Sequence, residues 1–509
     1  MMRYRIIHSR ILSMVLALLF ITVCVKSNGI AELRGESKNT IQHIYKRTPQ
    51  GELAMFVHLP KGWRPTDDRA VIVLFFGGGF RTGNVGEFIR HARYFASRGM
   101  VATRPEYRVK DRHGVMPDRC IEDGKSAIRW LRDNCDKCGI DPNRIAACGH
   151  SAGGHIAAAT YSAPGFEAEG ENVAISAKPN LLVLFNSSLD CTVSCNYVSY
   201  LGSRDLAVRL SPNKNLTDSF PPTILFYGSR DPRHLTQGID FLYAAKQLNC
   251  TARLYTAEGE SHDFSKSSPW FERTLYLTDQ FLTEHGYLEG APTIKLPEDG
   301  IGLDMVSAND ITDLNRWGYS PLHRACRLGN YKKTKELLAN GSKADATNCW
   351  SSTPLHYAVC AGHTRIAKLL CEYGADTNIK DMFGFTPLRH AIPTGLTELA
   401  ELLLGNGADP DLKNVRGSNA LQYAVTHGRQ DMAEVLIAGG ADINATNTQG
   451  VTALHLAVSM ANTDMATLLL DNGANVNVKS VQGWTPLFLA KNMNNEQLAG
   501  LLRKHGAEE

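Results

Sequence analysis

This 509-residue sequence lacks an excess of charge of either sign. Lys and Arg number 54 against 51 Asp and Glu, a net charge of +3, and no basic stripe is concentrated on any segment. The sequence therefore offers no support for nucleic-acid binding. Hydrophobic residues make up 43% and charged residues 21%, which excludes a disordered chain or an integral membrane protein. The length predicts two or three domains.

Two cofactor-binding patterns are also missing. The phosphate-binding pattern G-x-x-x-x-G-K does not occur, and G-x-G-x-x-G does not fit the glycine-rich stretches. Cys135-x-x-Cys138 has the form of half a zinc site, but no second pair of ligands stands at a suitable spacing. We therefore expect neither a metal nor an organic cofactor.

Only the N-terminus resembles a targeting segment. Arg3, Arg5 and Arg10 precede the apolar run Ile11–Val25, which has 15 residues, whereas a membrane-spanning helix needs about 20. In Val25-Lys26-Ser27, which ends the run, a β-branched and a small residue stand at positions −3 and −1 of a cleavage point. This layout predicts a secretory signal over residues 1–27 and an exported protein, periplasmic or extracellular. The alternative is an uncleaved membrane anchor. A lipoprotein is disfavoured because no small residues precede Cys24.

The sequence has 12 cysteines, and removal of the signal would leave an odd number. The close pairs Cys135/Cys138 and Cys191/Cys195 predict one disulfide, or two, in an exported protein. Four others lie in helical repeats, where we expect small buried hydrophobes. They are Cys326, Cys349, Cys360 and Cys371.

Strand-like and helix-like runs alternate over residues 28–290, the first predicted domain. The run 70–76 is continuously β-branched, apolar or aromatic, which is typical of a central strand buried on both faces. The alternation predicts a mostly parallel sheet with helices on both faces, and in such sheets the site lies at the carboxyl ends of the strands. The other predicted strands are 53–59, 100–103, 145–148, 181–185, 223–227 and 252–255.

The segment Gly149-His150-Ser151-Ala152-Gly153-Gly154 stands between an apolar strand and a helix-forming run. Strand, small-residue turn and helix is the context that makes G-x-S-x-G a nucleophile elbow. The alternative is a glycine-rich turn without chemistry, so the interpretation depends on partners elsewhere in the chain.

A serine nucleophile needs a base and an acid that orients the base. Asp231 directly follows the strand 223–227, and His262 lies in the loop after the strand 252–255. The fold would bring these strand ends together. We therefore predict a triad of Ser151, Asp231 and His262, with Glu258 and Asp263 as the alternative acids. Asp263 ranks low because it adjoins the histidine in sequence.

Gly77-Gly78-Gly79 follows the predicted central strand. Glycine lets backbone N–H groups turn toward a substrate, so we expect an oxyanion hole formed by the amides of Gly78, Gly79 and Ala152.

The C-terminal part repeats every 33 residues. Thr353-Pro354-Leu355-His356 and its equivalents recur in phase with a Gly-Ala-Asp series such as Gly374-Ala375-Asp376. This region resembles ankyrin, whose repeat is 33 residues with T-P-L-H-x-A. The resemblance implies six repeats over 313–509 as an all-α solenoid, with 291–312 as a linker. Pro393 predicts a shortened first helix in the third repeat.

Residues of about 50–290 resemble α/β-hydrolase esterases of the hormone-sensitive-lipase and bacterial feruloyl- or acetyl-esterase kind. The resemblance rests on the elbow, on the chain order serine, acid, histidine, and on residues 76–80 and 106–108. One departure is Phe76, where many relatives have a histidine that supports the glycine loop.

The resemblance implies hydrolysis of a small or polysaccharide-linked carboxylic ester through an acyl-serine intermediate, with no cofactor. The ankyrin repeats would bind a protein partner. A serine peptidase of the same fold and a non-catalytic ankyrin-based binding or scaffold protein are the alternatives.

Overall fold

The computed structural model describes residues 39–193, 201, 203–298, 301–306 and 318–508. Residues 1–27, the predicted signal, lie outside the described residues, and so does Cys195. Within the described ranges, no helix is both long and apolar enough to span a membrane. The chain forms a sheet domain followed by a stack of helix pairs, which confirms the predicted fold classes.

Nine strands form one sheet in the order β1-β2-β4-β3-β5-β6-β7-β8-β9. The six strands from β4 to β8 in this order are parallel, while β1, β2 and β9 pair antiparallel at the two edges. The strands are β1 Thr40–Thr48, β2 Gly51–His58, β3 Arg69–Phe75, β4 Val101–Pro105, β5 Ile140–His150, β6 Leu181–Phe185, β7 Thr223–Gly228, β8 Ala252–Ala257 and β9 Asp304–Val306.

Strand β3 lies between β4 and β5, and all its residues after Arg69 are buried. Alternate residues of β3 contribute to two separate apolar clusters: Val71 and Val73 to one, Ile72 and Leu74 to the other. Helices cover both clusters, so the prediction of a central strand buried on both faces is confirmed. The predicted strands of this domain all appear, with ends shifted by a few residues.

In the described part of the sheet domain, eight helices accompany the sheet. They are α1 Ile89–Ser97, α2 Lys110–His113, α3 Pro117–Asp133, α4 Cys135–Cys138, α5 Ala152–Ser162, α6 Arg204–Leu210, α7 Pro232–Gln247 and α8 Trp270–Glu284. Short 3₁₀ segments cover Val85–Phe88, Cys191–Val193, Pro212–Lys214 and Phe264–Lys266.

The predicted disulfide between Cys135 and Cys138 is wrong, because both are free thiols. They begin and end the single turn α4, where Cys138 is buried and Cys135 is partly exposed near Asp136. Cys191 is also a free, buried thiol. Its sulfur lies 4.0 Å from the ring of His155, inside the apolar core.

The second unit consists of six antiparallel helix pairs in register with the 33-residue period. The helices are α9 Pro321–Arg327, α10 Tyr331–Ala339, α11 Pro354–Cys360, α12 Thr364–Glu372, α13 Pro387–Ala391, α14 Thr397–Gly405, α15 Ala420–Thr426, α16 Gln430–Ala438, α17 Ala453–Ser459, α18 Thr463–Asp471, α19 Pro486–Asn492 and α20 Glu496–Lys504. One apolar cluster runs through the stack from Leu322 to Leu502, because no single pair can bury its own apolar face.

The third repeat departs from the others as Pro393 predicts. Helix α13 has five residues and passes into the 3₁₀ turn Ile392–Thr394, whereas α9 and α11 have seven. Proline lacks an amide hydrogen and cannot continue the α-helical hydrogen bonding.

The expected linker, 291–312, is not irregular throughout. Residues Asp304–Val306 form β9, which pairs antiparallel with β8 from Leu254 to Thr256. The strand escaped prediction because it is three residues long and two of them are exposed. It covers the open edge of β8 and ties the segment to the sheet domain.

The first two repeats pack against the sheet domain through α7. Trp350, Tyr319 and Tyr357 join the apolar cluster of the sheet domain. Arg327 is almost fully buried and pairs with Asp240 on α7. Part of the interface therefore lies on the helix that follows the predicted acid, Asp231. Another part lies on the 3₁₀ segment Cys191–Val193 and on Arg204, which donates to the carbonyl oxygen of Ala361.

Candidate active site

Ser151 stands at the sharp turn between β5 and α5. Its φ of 54° and ψ of −118° lie outside the ordinary regions for a residue with a side chain. The turn also requires close backbone approach, since a Cβ on Gly153 would lie 2.1 Å from the carbonyl oxygen of Phe75. Such strain at a helix N-terminus presents the serine Oγ above the sheet, as the elbow predicts.

Three predicted residues form one hydrogen-bonded chain. Ser151 Oγ lies 2.9 Å from His262 Nε2, and His262 Nδ1 lies 2.5 Å from Asp231 Oδ2. An ionised carboxylate only accepts hydrogen bonds, so Nδ1 carries the proton and Nε2 is left to accept from the serine. This arrangement can remove a proton from Ser151 during attack on a carbonyl group.

Asp231 sits at the end of β7 and is 8% exposed. Burial alone would raise the pKa of its carboxyl group, but contacts with His234 and His262 hold the pKa well below its usual range. The Asp231 carboxylate is therefore ionised near neutral pH and can stabilise a charged imidazole.

The alternative acids lie elsewhere. Asp263 points to Lys266, with 2.7 Å between Nζ and Oδ1, and Glu258 is exposed on the loop after β8. The loop itself is anchored through the carbonyl oxygen of His262, which accepts from the side-chain Nδ2 of Asn186 and lies 3.1 Å from His150 Nε2.

The glycine loop begins where β3 ends, beside the elbow. Gly78 and Gly79 have φ of 123° and 63°, and the carbonyl oxygen of Gly78 accepts from the amides of Arg81 and Thr82. Within the described part of the chain, neither glycine amide donates to a protein acceptor. Ala152 is the first residue of α5, so its amide has no partner within the helix. All three predicted donors lie on the two segments that meet at Ser151.

Phe76, the departure from the expected histidine, supports the loop in another way. Its ring stacks on Tyr107 with 4.0 Å between ring centroids, and Tyr107 donates its hydroxyl to the carbonyl oxygen of Phe76 at 2.6 Å. An aromatic stack and one hydrogen bond thus hold the start of the glycine loop.

Glu87 is a site residue that sequence reasoning missed. Its Oε2 accepts from the amide of Gly77 at 2.5 Å, and its Oε1 lies 3.1 Å from His150 Nδ1 and 2.9 Å from Lys266 Nζ. Burial would raise the pKa of Glu87, but His150, Gly77 and Lys266 lower it to about 2. The ionised Glu87 therefore links the glycine loop to the loop of His262.

His234 is the second missed residue. It lies on the first turn of α7, and its Nδ1 is 2.8 Å from Asp231 Oδ1. The available signal was its spacing, since residues three apart at a helix N-terminus face each other. Asp231, His234 and His262 offer ligand atoms within 4.8 Å of one another, although the contacts described above already use Nδ1 of both histidines.

Two family models match separate parts of the chain. Residues 56–180 match the family described as BD-FAE. Residues 301–381, 373–447 and 436–509 match ankyrin repeats. The chain therefore carries an α/β-hydrolase domain of the esterase type followed by ankyrin repeats, as predicted.

Two curated relatives that carry esterase names match parts of the chain. Esterase LipC of Mycobacterium tuberculosis is 31% identical over 193 residues, covering 33% of this chain and 47% of LipC. Acetylxylan esterase of Xylanibacter ruminicola is 25% identical over 276 residues, covering 52% of this chain and 53% of the relative. The chain spans about half of the length of these two relatives.

Among solved structures, esterase 2 of Thermogutta terrifontis with bound propionate is 35% identical. The match covers 51% of this chain and 98% of that chain, with a TM-score of 0.48.

Proposed function

We propose that the protein is a serine carboxylic-ester hydrolase that acts on short acyl esters. The observation that carries this proposal is the chain of hydrogen bonds from Ser151 through His262 to Asp231, at the ends of three parallel strands. The similarity to proteins named esterases supports the reaction class.

In the proposed first half-reaction, Ser151 Oγ attacks the ester carbonyl while His262 Nε2 takes the hydroxyl proton. The carbonyl oxygen becomes an oxyanion, which the amides of Gly78, Gly79 and Ala152 stabilise by hydrogen bonds. Collapse of this intermediate breaks the bond to the alcohol, which leaves with the proton from His262. The serine then carries the acyl group.

In the second half-reaction, water attacks the acyl-serine and gives its proton to His262. The second oxyanion collapses, the carboxylic acid leaves, and Ser151 recovers its proton. Asp231 remains ionised throughout and holds the imidazole in the tautomer that both steps need.

The proposal extends to the substrate, to the N-terminal segment and to a binding partner of the ankyrin repeats. The acetylxylan esterase name supports acetyl esters of carbohydrates as substrates. We further propose that the N-terminal segment directs export, and that the ankyrin repeats bind a protein through the concave surface common to such stacks.

The decisive variant is Ser151→Ala in the full chain. We expect the parent to hydrolyse p-nitrophenyl acetate and butyrate, and the variant to lose about three to six orders of magnitude in kcat. Ser162→Ala is the matched control, since Ser162 ends α5 and donates only to the carbonyl oxygen of Ala158.

A fluorophosphonate probe separates the alternatives. Labelling of the parent at Ser151, with ester but no peptide turnover, supports an esterase. Cleavage of a peptide p-nitroanilide above the ester rate supports the peptidase alternative. A folded protein that neither labels nor hydrolyses supports the binding-protein alternative, and parental turnover by Ser151→Ala contradicts the proposed nucleophile.

A further inference from the structure

His234 occupies the side of the catalytic carboxylate that the proposed mechanism does not use. Asp231 presents Oδ2 to His262 at 2.5 Å and Oδ1 to His234 at 2.8 Å. Both contacts are made through Nδ1, and the two ring centroids are 4.4 Å apart. One carboxylate is therefore held between two histidines.

The chemistry of the contact assigns its direction. Burial lowers the pKa of His234 despite the neighbouring carboxylate, so its ring is neutral near neutral pH. Asp231 is ionised and can only accept. His234 must therefore carry its proton on Nδ1 and donate it to Asp231 Oδ1.

The contact between Asp231 and His234 is local in the sequence. Asp231 directly precedes α7, and His234 lies on its first turn, so both ends belong to one local segment. The side chain of His234 is 14% exposed. On the neighbouring turns, the carbonyl oxygen of Thr236 accepts from Arg327, and Asp240 pairs with the same arginine. The first ankyrin repeat thus helps to fix the helix that presents His234.

We propose that His234 is a positioning residue that ties Asp231 Oδ1, leaves Oδ2 aimed at His262, and draws charge away from the carboxylate. This proposal rests on the proposed hydrolase function, but the hydrogen bond from His234 Nδ1 to Asp231 Oδ1 can be measured without turnover. With less charge on the carboxylate, the protonated form of the catalytic base is stabilised less, so the enzyme stays active at lower pH.

The charged and titratable groups around the two rings are few. His234 is faced by Asp231, His262 and Arg233. His262 is also faced by Asp263 and by the ring of His150, whose centroid is 5.1 Å away. His234→Phe does not change these other residues and removes the Nδ1–H donor together with Nε2, while keeping a planar aromatic ring.

The matched variant is His234→Asn, because an asparagine amide can place its N–H donor near the position of Nδ1. For His234→Phe we expect kcat to fall about ten- to a hundredfold with little change in KM, the usual effect of losing a hydrogen bond to a charged group. The acidic limb of kcat/KM should move to higher pH by up to about one unit. His234→Asn should recover most of both changes.

A merely structural role would give a different result. If His234→Phe keeps the parental acidic limb, or if His234→Asn is as impaired as His234→Phe, the proposal is overturned. Thermal unfolding of each variant shows whether lost activity reflects lost folding.

The second measurement needs no turnover. In ¹⁵N-histidine spectra of Ser151→Ala at neutral pH, assigned with His234→Asn, we expect His234 to show the tautomer protonated at Nδ1. The tautomer protonated at Nε2 would overturn the proposal even if His234→Phe does not fold. If the spectra show the Nδ1–H tautomer but the parent protein hydrolyses no ester, the contact between His234 and Asp231 stands and only the proposed hydrolase function is rejected.

Discussion

At the scale of single residues, the site depends on backbone geometry as much as on side chains. Gly78 has a φ of 123°, and a Cβ added there would lie 2.4 Å from the carbonyl oxygen of Thr82. Gly79 also has a positive φ, 63°, but a Cβ there meets no atom within 4 Å. The two neighbours therefore differ in what an alanine would do to the glycine loop.

We expect Gly78→Ala to move the loop and lower kcat by about a hundredfold or more, the usual cost of losing an oxyanion donor. Gly79→Ala keeps its amide and should cost only the strain of a left-handed alanine, about 1–2 kcal/mol. Steady-state kinetics of both variants on p-nitrophenyl acetate test this difference. Equal losses of kcat would contradict the assigned geometry of the loop.

The residues that were predicted and those that were missed differ in physical origin. Ser151, Asp231 and His262 follow strands whose apolar runs are visible in the sequence, and parallel strands end at one edge of the sheet. Glu87 acts through contacts made only after folding, so no local pattern marks it. His234 had a local signal, its three-residue spacing from Asp231. The Ser151→Ala assay tests the catalytic role of the predicted residues.

At the scale of elements, the ankyrin helices begin with a repeated hydrogen-bond pattern. In three repeats a histidine accepts at Nδ1 from the amide three residues before it, and its Nε2 lies 3.0 Å from a carbonyl oxygen of the next repeat. The histidines are His323, His356 and His455. The pattern requires a neutral ring, because Nδ1 must accept.

Burial lowers the pKa of His323 and His356 to about 4, and it also lowers the pKa of His455. An unfolded chain takes up these protons near pH 6.5. The unfolded state therefore binds more protons between about pH 6.5 and 4, so the stabilisation is complete above pH 6.5 and is lost as the pH falls through this range.

The protein itself provides the matched control. In the fourth repeat Gln422 takes the histidine position, accepts from the amide of Asn419 at 3.1 Å and donates to the carbonyl oxygen of Val451 at 2.7 Å. We expect replacement of the three histidines by glutamine to reduce the loss of thermal stability between pH 6.5 and 4. Gln422→His should increase it. An unchanged pH dependence in both variants would contradict the assignment.

Helices and strands were predictable from the sequence where a single repeat length persists over many residues. The 33-residue repeat carries its own register, and Pro393 marks the shortened helix because proline acts locally. Strand β9 and the thiols of Cys135 and Cys138 were mispredicted for the opposite reason. A three-residue edge strand exists only through its pairing with β8, and closeness in sequence does not show how two thiols point.

At the scale of the whole molecule, the two domains meet through buried charge. Asp240 on α7 is 4% exposed and pairs with Arg327 and, at 3.4 Å, with Arg324. The guanidinium of Arg324 also lies 3.2 Å from the ring centroid of Tyr243. Since α7 begins directly after Asp231, this interface holds the helix next to the proposed catalytic carboxylate.

Breaking a buried ion pair on one side leaves an uncompensated charge, which costs about 3–5 kcal/mol. We therefore expect Asp240→Asn in the full chain to lower the thermal unfolding midpoint clearly and to lower kcat on p-nitrophenyl acetate. The pair Arg253–Glu284 is the matched control, with 2.7 Å between its charged atoms but side chains 37% and 48% exposed. Glu284→Gln should change the midpoint little, because exposed pairs contribute about 0–1 kcal/mol.

The double variant Asp240→Leu with Arg327→Met separates the contribution of the ion pair from that of the packing around it. The double variant removes Asp240 and Arg327 together and leaves Arg324, which is 14% exposed and stacks on Tyr243. It should therefore be more stable than Asp240→Asn, which leaves both arginines without their carboxylate. If the kcat of the double variant also returns, the ankyrin repeats support α7 by packing. The two charges then only neutralise each other and do not set the position of α7. If stability returns but kcat does not, the ion pair itself sets the position of α7 relative to His262. A double variant no more stable than Asp240→Asn, or a Glu284→Gln effect as large as that of Asp240→Asn, would show that the buried pair does not hold the two domains together.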